Sequence, residues 1–214
     1  MKKPGEERYW SRFAKSYDRD GEYVVGKRIT RLIQETLLTE SSLGNALELG
    51  CGTGYFTKAI ARNARHVVAT DLSNEMLGMA RVQLRAFENV SIQKADCKNT
   101  SFTEESFDSV FLTNLIHVID APLQCLHESH RILRDNGSLI VVDFTGYQLS
   151  IAKKMTLGLK YLQVWGLPPR GGRSSMSPEQ LQSLVEEAGF QVRSMQLLTD
   201  GANALYLKGT KHHP

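Results

Sequence analysis

The chain is poor in residues that staple a fold or cross a membrane. Its three cysteines, Cys51, Cys97 and Cys125, are odd in number and form no CxxC pair. That argues against a disulfide framework or a cysteine-built metal site and suits a reduced, cytoplasmic setting. No apolar run approaches the ~20 residues that span a bilayer. Met1-Lys2-Lys3-Pro4-Gly5-Glu6-Glu7 is not followed by the apolar core of a signal peptide. One-sided charge is missing too. A net charge of +3 argues against a nucleic-acid binder or a polybasic membrane protein. There is no internal repeat and no low-complexity tract. What remains is 214 residues, 41% hydrophobic and 23% charged, enough for one α/β domain with a substantial core.

The strongest local signal is Ala46-Leu47-Glu48-Leu49 running into Gly50-Cys51-Gly52-Thr53-Gly54. It reads as an apolar strand entering a glycine-dense turn, against which a ligand can lie closely. A helical pattern follows over 55–64. Further strands are predicted at 66–70, ending at Asp71; 90–95, ending at Asp96; 107–113, ending at Asn114; and 138–142, ending at Asp143. Ser73 is a helix N-cap, with Met76, Leu77, Ala80 and Leu84 on the buried side. Another helix over 121–133 leads through a turn at 135–137 into the fifth strand. This alternation predicts a parallel sheet covered on both faces, with right-handed crossovers.

The flanks depart from the alternation. Residues 8–38 read as helical with a break at Gly21. Tyr9, Phe13 and Tyr17 share one face before it, and Ile29, Leu32, Ile33 and Leu37 another after it. Residues 146–175 read as an inserted helix and loop. Ile151, Met155, Leu159 and Leu162 share a face of that helix, with Lys153, Lys154 and Lys160 elsewhere around it. Ser177-Pro178-Glu179-Gln180 is a capping-box helix start, and Gly189 suits its C-terminus. Strands over 190–198 and 203–208 close the chain through a hairpin at Asp200-Gly201. The organisation is therefore one domain over 1–214, with a helical cover at 1–40 and a lid at 146–175.

In an open α/β sheet, ligands bind beyond the carboxyl ends of the strands. Glu48 with the glycine turn, Asp71, Asp96 and Asn114 stand there. One such acid alone is as readily a helix cap as a ligand contact. Asp71, however, follows the turn at about the interval, ~20 residues, of a ribose-diol ligand. The dinucleotide fingerprint GxGxxG wants glycine where Tyr55 stands. Glu48 places a carboxylate just before the turn, which repels a pyrophosphate and not a cation.

On the residues Leu47 to Gly54, Thr70 to Leu77, Lys94-Ala95-Asp96, Phe107 to Val110 and Arg131 to Leu139, the sequence resembles the class I S-adenosylmethionine (SAM)-dependent methyltransferases. The resemblance is particularly to the broad branch of small-molecule enzymes that includes the ubiquinone/menaquinone-biosynthesis methyltransferases. The resemblance implies an α/β Rossmann-like sheet of order 3-2-1-4-5-7-6, with strand seven antiparallel. It implies SAM as cofactor, with Gly50, Cys51, Gly52 and Gly54 under its amino-acid end and Glu48 supporting the turn or the ammonium. Asp71 would hold the ribose, Asp96 would accept from the adenine amino group with the Cys97 backbone amide beside it, and Leu72 and Met76 would meet the ring. Asn114 and Leu115 would lie near the methionine, and Tyr17 would close over it.

The protein's part in such a displacement is alignment, with a base only where the acceptor loses a proton. His117 and then Asp143 are the candidate bases, against the plainer reading of packing beneath the cofactor. Arg170 and Arg173 could meet an anionic acceptor, against that of an ordinary solvated loop. No metal is expected. The expected partner is a small, partly apolar methyl acceptor, and the expected assembly a monomer or homodimer. Three alternatives stand beside this reading: a methyltransferase of protein or RNA, a SAM-binding regulator without activity, and more distantly a nicotinamide-dependent oxidoreductase.

Overall fold

The computed structural model describes residues 6–167 and 175–211. Seven strands form one sheet: β1 (Asn45–Leu49), β2 (His66–Asp71), β3 (Val90–Lys94), β4 (Phe107–Thr113), β5 (Leu133–Thr145), β6 (Phe190–Asp200) and β7 (Ala202–Lys211). Their order is β3-β2-β1-β4-β5-β7-β6. The first five are parallel, and β7 runs antiparallel between β5 and β6. This is the expected fold, including the insert after β5.

Central strands buried on both faces send alternate side chains to two cores. Leu47 and Leu49 of β1, Val110 and Leu112 of β4, and Leu139 and Val141 of β5 pack with α6 (Pro122–Ile132) and α8 (Pro178–Glu187). Ala46, Phe111, Ile140 and Val142 pack with α3 (Lys27–Leu38) and α4 (Thr57–Asn63) on the other face. α5 (Asn74–Gln83) buries Met76, Leu77 and Ala80, and its Ser73 cap accepts the Met76 N–H at 3.1 Å. The capping box of α8 forms through Ser177 and Gln180. Three helices lie outside these layers: α1 (Glu6–Ser11), α2 (Tyr17–Val25) and α7 (Ile151–Trp165). They share an aromatic cluster built on Tyr9, Val24 and Trp165.

Three expectations change. The N-terminal break falls at Gly26, not Gly21. α2 runs through Gly21, because a helix tolerates one interior glycine at about 1 kcal/mol, whereas Gly26 takes φ 97 between α2 and α3. α1 also stops at Ser11, so Tyr9, Phe13 and Tyr17 share no single helix. They meet through the intervening turn instead, with Tyr9–Phe13 ring centroids 5.5 Å apart and Trp10–Tyr17 5.8 Å. The turn expected at 135–137 is absorbed into β5 as a bulge. The register jumps from Phe107↔Leu133 to Ser109↔Ser138, with Asn136 at φ 60.

Candidate active site

The turn after β1 shows why it needs its glycines. A Cβ on Gly50 would lie 2.6 Å from Leu115, and one on Gly54 2.7 Å from Leu84. Those two positions bring turn, loop and α5 together. Gly52, at φ 55, is different: its nearest neighbour would be Tyr17 at 3.9 Å, so it alone faces open space. Glu48 lies wholly buried beneath the turn and forms no part of either cavity wall described below. Its two oxygens accept the hydroxyls of Thr57 and Thr113, each at 2.5 Å. Burial raises its pKa, and the two hydroxyl bonds oppose that rise.

Beyond the turn runs a groove along the ends of β1 to β4. Tyr17, Gly50, Gly52, Asp71, Leu72, Met76, Asp96, Cys97, Asn114 and Leu115 all line it. Ten residues named from sequence are thus brought together, whereas Cys51 lies in the neighbouring cavity and Gly54 in neither. Asp71 accepts the Gly52 N–H at 3.0 Å on one oxygen and the Ser73 N–H at 2.8 Å on the other. Burial raises its pKa against the pull of these backbone donors. Asp96 accepts the Lys98 N–H at 3.0 Å. Asn114 sits at φ 54 with its own N–H bonded to the Val142 carbonyl at 2.7 Å. Its side-chain oxygen is buried and has no hydrogen-bond partner among the described residues. An orphaned acceptor is costly unless a ligand supplies the donor. An open glycine, an unpaired buried acceptor and carboxylates at two strand ends fit a ligand with ammonium, ribose and adenine groups. α1 lies across the groove: Glu7 and Trp10 enter its wall, and Ser11 hydrogen-bonds Ser73 at 2.8 Å.

A second cavity of about 520 Å³ adjoins the groove and shares Trp10, Tyr17, Gly50, Gly52, Asn114 and Val118 with it. His117, from the loop after β4, stands in its wall. Asp143 lies behind and accepts the His117 N–H at 2.9 Å, while its other oxygen is paired with His117 Nδ1. That pairing leaves Nε2 as the ring nitrogen available to the cavity. Burial lowers the imidazole pKa, but the charge and hydrogen bond of Asp143 outweigh it, and the net shift is upward. The roof is aromatic. Tyr17 stacks on Trp165 at 5.9 Å, Tyr161 meets Trp165 edge-on at 5.0 Å, and the Tyr9 hydroxyl donates to the Trp165 carbonyl at 3.0 Å. Burial, and then the charges of Asp71, Asp18 and Asp143, raise the pKa of the Tyr17 hydroxyl. Arg170 and Arg173 lie outside the described residues.

Sequence reasoning missed Trp10, Tyr161, Trp165 and Asn203 in these walls. One signal was present: the chain has two tryptophans, and both lie in segments that break the strand–helix alternation. Asp18 was missed as well. It accepts from Thr53 and Gln83, each at 2.5 Å, and so ties α2 to the glycine turn and to α5.

A methyltransferase-domain family model matches residues 47–141. The chain is 27% identical over 176 residues to a demethylmenaquinone methyltransferase of Tropheryma whipplei, covering 75% of this chain and 72% of that protein. It is 28% identical over 188 residues to a malonyl-[acyl-carrier protein] O-methyltransferase of Paenibacillus sp., covering 83% and 67%. A solved SAM-dependent methyltransferase from Thermotoga maritima superposes with a TM-score of 0.71 at 22% identity, over 96% of this chain and 99% of that one. At that identity the superposition speaks for the fold, and it agrees with the matched domain and with the groove at the strand ends. Residues 47–141 thus match the methyltransferase domain, and the chain as a whole has the fold of the class I SAM-dependent methyltransferases.

Proposed function

We propose that this chain transfers a methyl group from SAM to a small, partly apolar acceptor that gives up a proton as it is methylated. The observation that carries this reading is the His117–Asp143 pair, set in an acceptor-sized cavity beside the glycine turn. SAM supplies a methyl group already activated by a sulfonium. The chain's own residues then have three tasks.

The first is holding. Asp71 takes the ribose hydroxyls, Asp96 accepts from the adenine amino group while the Cys97 N–H beside it donates to a ring nitrogen, and Leu72 and Met76 flank the ring. Gly50, Gly52 and the unpaired Asn114 oxygen receive the amino-acid end. Glu48, clamped between two threonines, keeps the turn in place from beneath. The second is alignment without water: Tyr17, Tyr161 and Trp165 close an apolar roof over the reacting groups. The third is proton removal. His117 Nε2 would take the acceptor's proton as the acceptor's electron pair bonds the methyl carbon, the methyl–sulfur bond breaking with its electrons left on the departing S-adenosylhomocysteine. Asp143 fixes the tautomer through Nδ1 and stabilises the resulting imidazolium.

The cavity volume speaks against a SAM-binding regulator, which needs no such space. The likeness to a demethylmenaquinone methyltransferase supports a partly apolar acceptor. The test is incubation with methyl-labelled SAM and a panel of phenols, enols and hydroquinones, reading S-adenosylhomocysteine release. Turnover on this panel that His117→Ala abolishes is the expected result. Label appearing only in added protein or RNA would overturn the small-molecule reading, and SAM binding without any transfer would overturn the enzyme.

A further inference from the structure

α7 has two faces that do different work. Its inner face, with Leu157, Tyr161 and Trp165, roofs the second cavity. Its outer face carries Ile151 at 78% exposure, Met155 at 63% and Leu159 at 66%, and Leu162, 46% exposed, stands at the seam between that face and the cavity wall. At 3.6 residues per turn these four fall within about 80° of arc. Leu167, just past the helix, is exposed as well. Large apolar side chains scattered singly on a surface need no explanation, but a contiguous stripe does.

Charge is as one-sided as the stripe. α7 contains Lys153, Lys154 and Lys160 and no aspartate or glutamate; Lys153 and Lys154 are exposed, and Lys154 also reaches the wall of the second cavity. The carboxylates of α2, which packs beside it, are already engaged. Asp18 accepts from Thr53 and Gln83, Asp20 pairs with Arg19, and Glu22 pairs with Lys27 and Tyr55. Lys160 donates to the Tyr23 carbonyl at 3.1 Å.

We propose that the outer face of α7 docks on an anionic lipid surface, which places the roof of the acceptor cavity against the membrane. An apolar stripe with lysines and no acids is the composition of a helix lying in the headgroup plane. The fifteen residues of α7 span about 22 Å, short of the ~30 Å hydrocarbon core, so the helix lies on the membrane and does not cross it. Charge also selects the occupant. A second copy meeting this face about a two-fold axis would bring two lysine-bearing, acid-free helices together, whereas anionic headgroups neutralise them. This inference stands on the surface alone and goes beyond the transfer reaction.

The test is flotation of the full chain with vesicles of phosphatidylcholine alone and of phosphatidylcholine mixed with phosphatidylglycerol. The chain is expected on the anionic vesicles, less so as salt rises. Lys153→Glu should lower that partition by about fivefold or more. The triple variant Ile151→Ser, Met155→Ser, Leu159→Ser should lower it by about tenfold or more. SAM affinity by calorimetry should match the parent in both variants, showing an intact fold. Absence of partition, or partition indifferent to phosphatidylglycerol or to the triple variant, overturns the proposal. So does a concentration-dependent dimer in sedimentation that the triple variant dissolves, because the occupant is then a second copy. Vesicle binding and SAM binding are read separately, so either can fail without the other.

Discussion

The two cavities at the strand ends are built by opposite means. The groove draws nearly all its walls from residues just past β1 to β4, and its key distances run to backbone: Asp71 to Gly52 and Ser73, Asp96 to Lys98, Asn114 to Val142. The second cavity takes its base from one loop and its roof from α1, α2 and α7, which meet across 156 residues where Tyr9 bonds the Trp165 carbonyl. Backbone at the end of a parallel strand has little freedom. Side-chain packing between distant helices has much more. The same scaffold can therefore hold one ligand constant and vary the other.

Substitutions can break this contrast, beginning with the chemistry. His117→Ala is expected to lower turnover about a thousandfold while SAM affinity stays unchanged in calorimetry. A parallel loss of SAM affinity would show that the two cavities are not separable. Asp71→Ala is expected to weaken SAM by about tenfold to a hundredfold, the worth of charge-assisted hydrogen bonds. Asp143→Asn should cost about tenfold in turnover and also move the pH profile. In the proposed role His117 would act as a base only when neutral, and Asp143 raises its pKa. The acid limb of the parent therefore lies at higher pH than an ordinary histidine would give. Without the carboxylate the limb should move to lower pH; an unmoved limb would remove His117 as the titrating base.

The smallest effects sharpen the turn itself. Gly54→Ala should destabilise by about 2 kcal/mol through its contact with Leu84, lowering Tm by roughly 6 °C, and leave SAM affinity of the folded protein intact. Gly52→Ala should cost about 1 kcal/mol of backbone strain and instead weaken SAM, because its new methyl group enters the groove. If the two variants behave alike, packing and ligand approach are not divided between these glycines.

The same contrast explains what could be read in advance. The strands themselves, the caps at Ser73 and Ser177 and the hairpin at Gly201 follow from signals a few residues long, whereas the strand order comes from the family resemblance. Gly21 and Gly26 are indistinguishable by type, and only the packing of α2 and α3 selects which one breaks the helix. Glu48 carries no local mark of being clamped under the turn by Thr57 and Thr113, since Thr113 comes from a strand 65 residues away. The aromatic roof was least legible. The periodicity of Tyr9, Phe13 and Tyr17 suggested one helical face, but the cluster is completed by Tyr161 and Trp165. In α7 the stripe at Ile151, Met155, Leu159 and Leu162 has helical spacing, yet spacing alone does not say that it faces solvent.

One ring has a kinetic consequence. Tyr17 is half-buried, lines both cavities and stacks on Trp165. On the proposed reading, an acceptor seated against that ring stands beside a wall that the two cavities share. With both ligands placed as proposed, donor exchange past a bound acceptor would require Tyr17 to unstack. The expected scheme is compulsory-order, with donor binding first and demethylated donor leaving last. Product-inhibition patterns should show S-adenosylhomocysteine competitive with SAM and noncompetitive with the acceptor, and Tyr17→Ala should relax that order toward random.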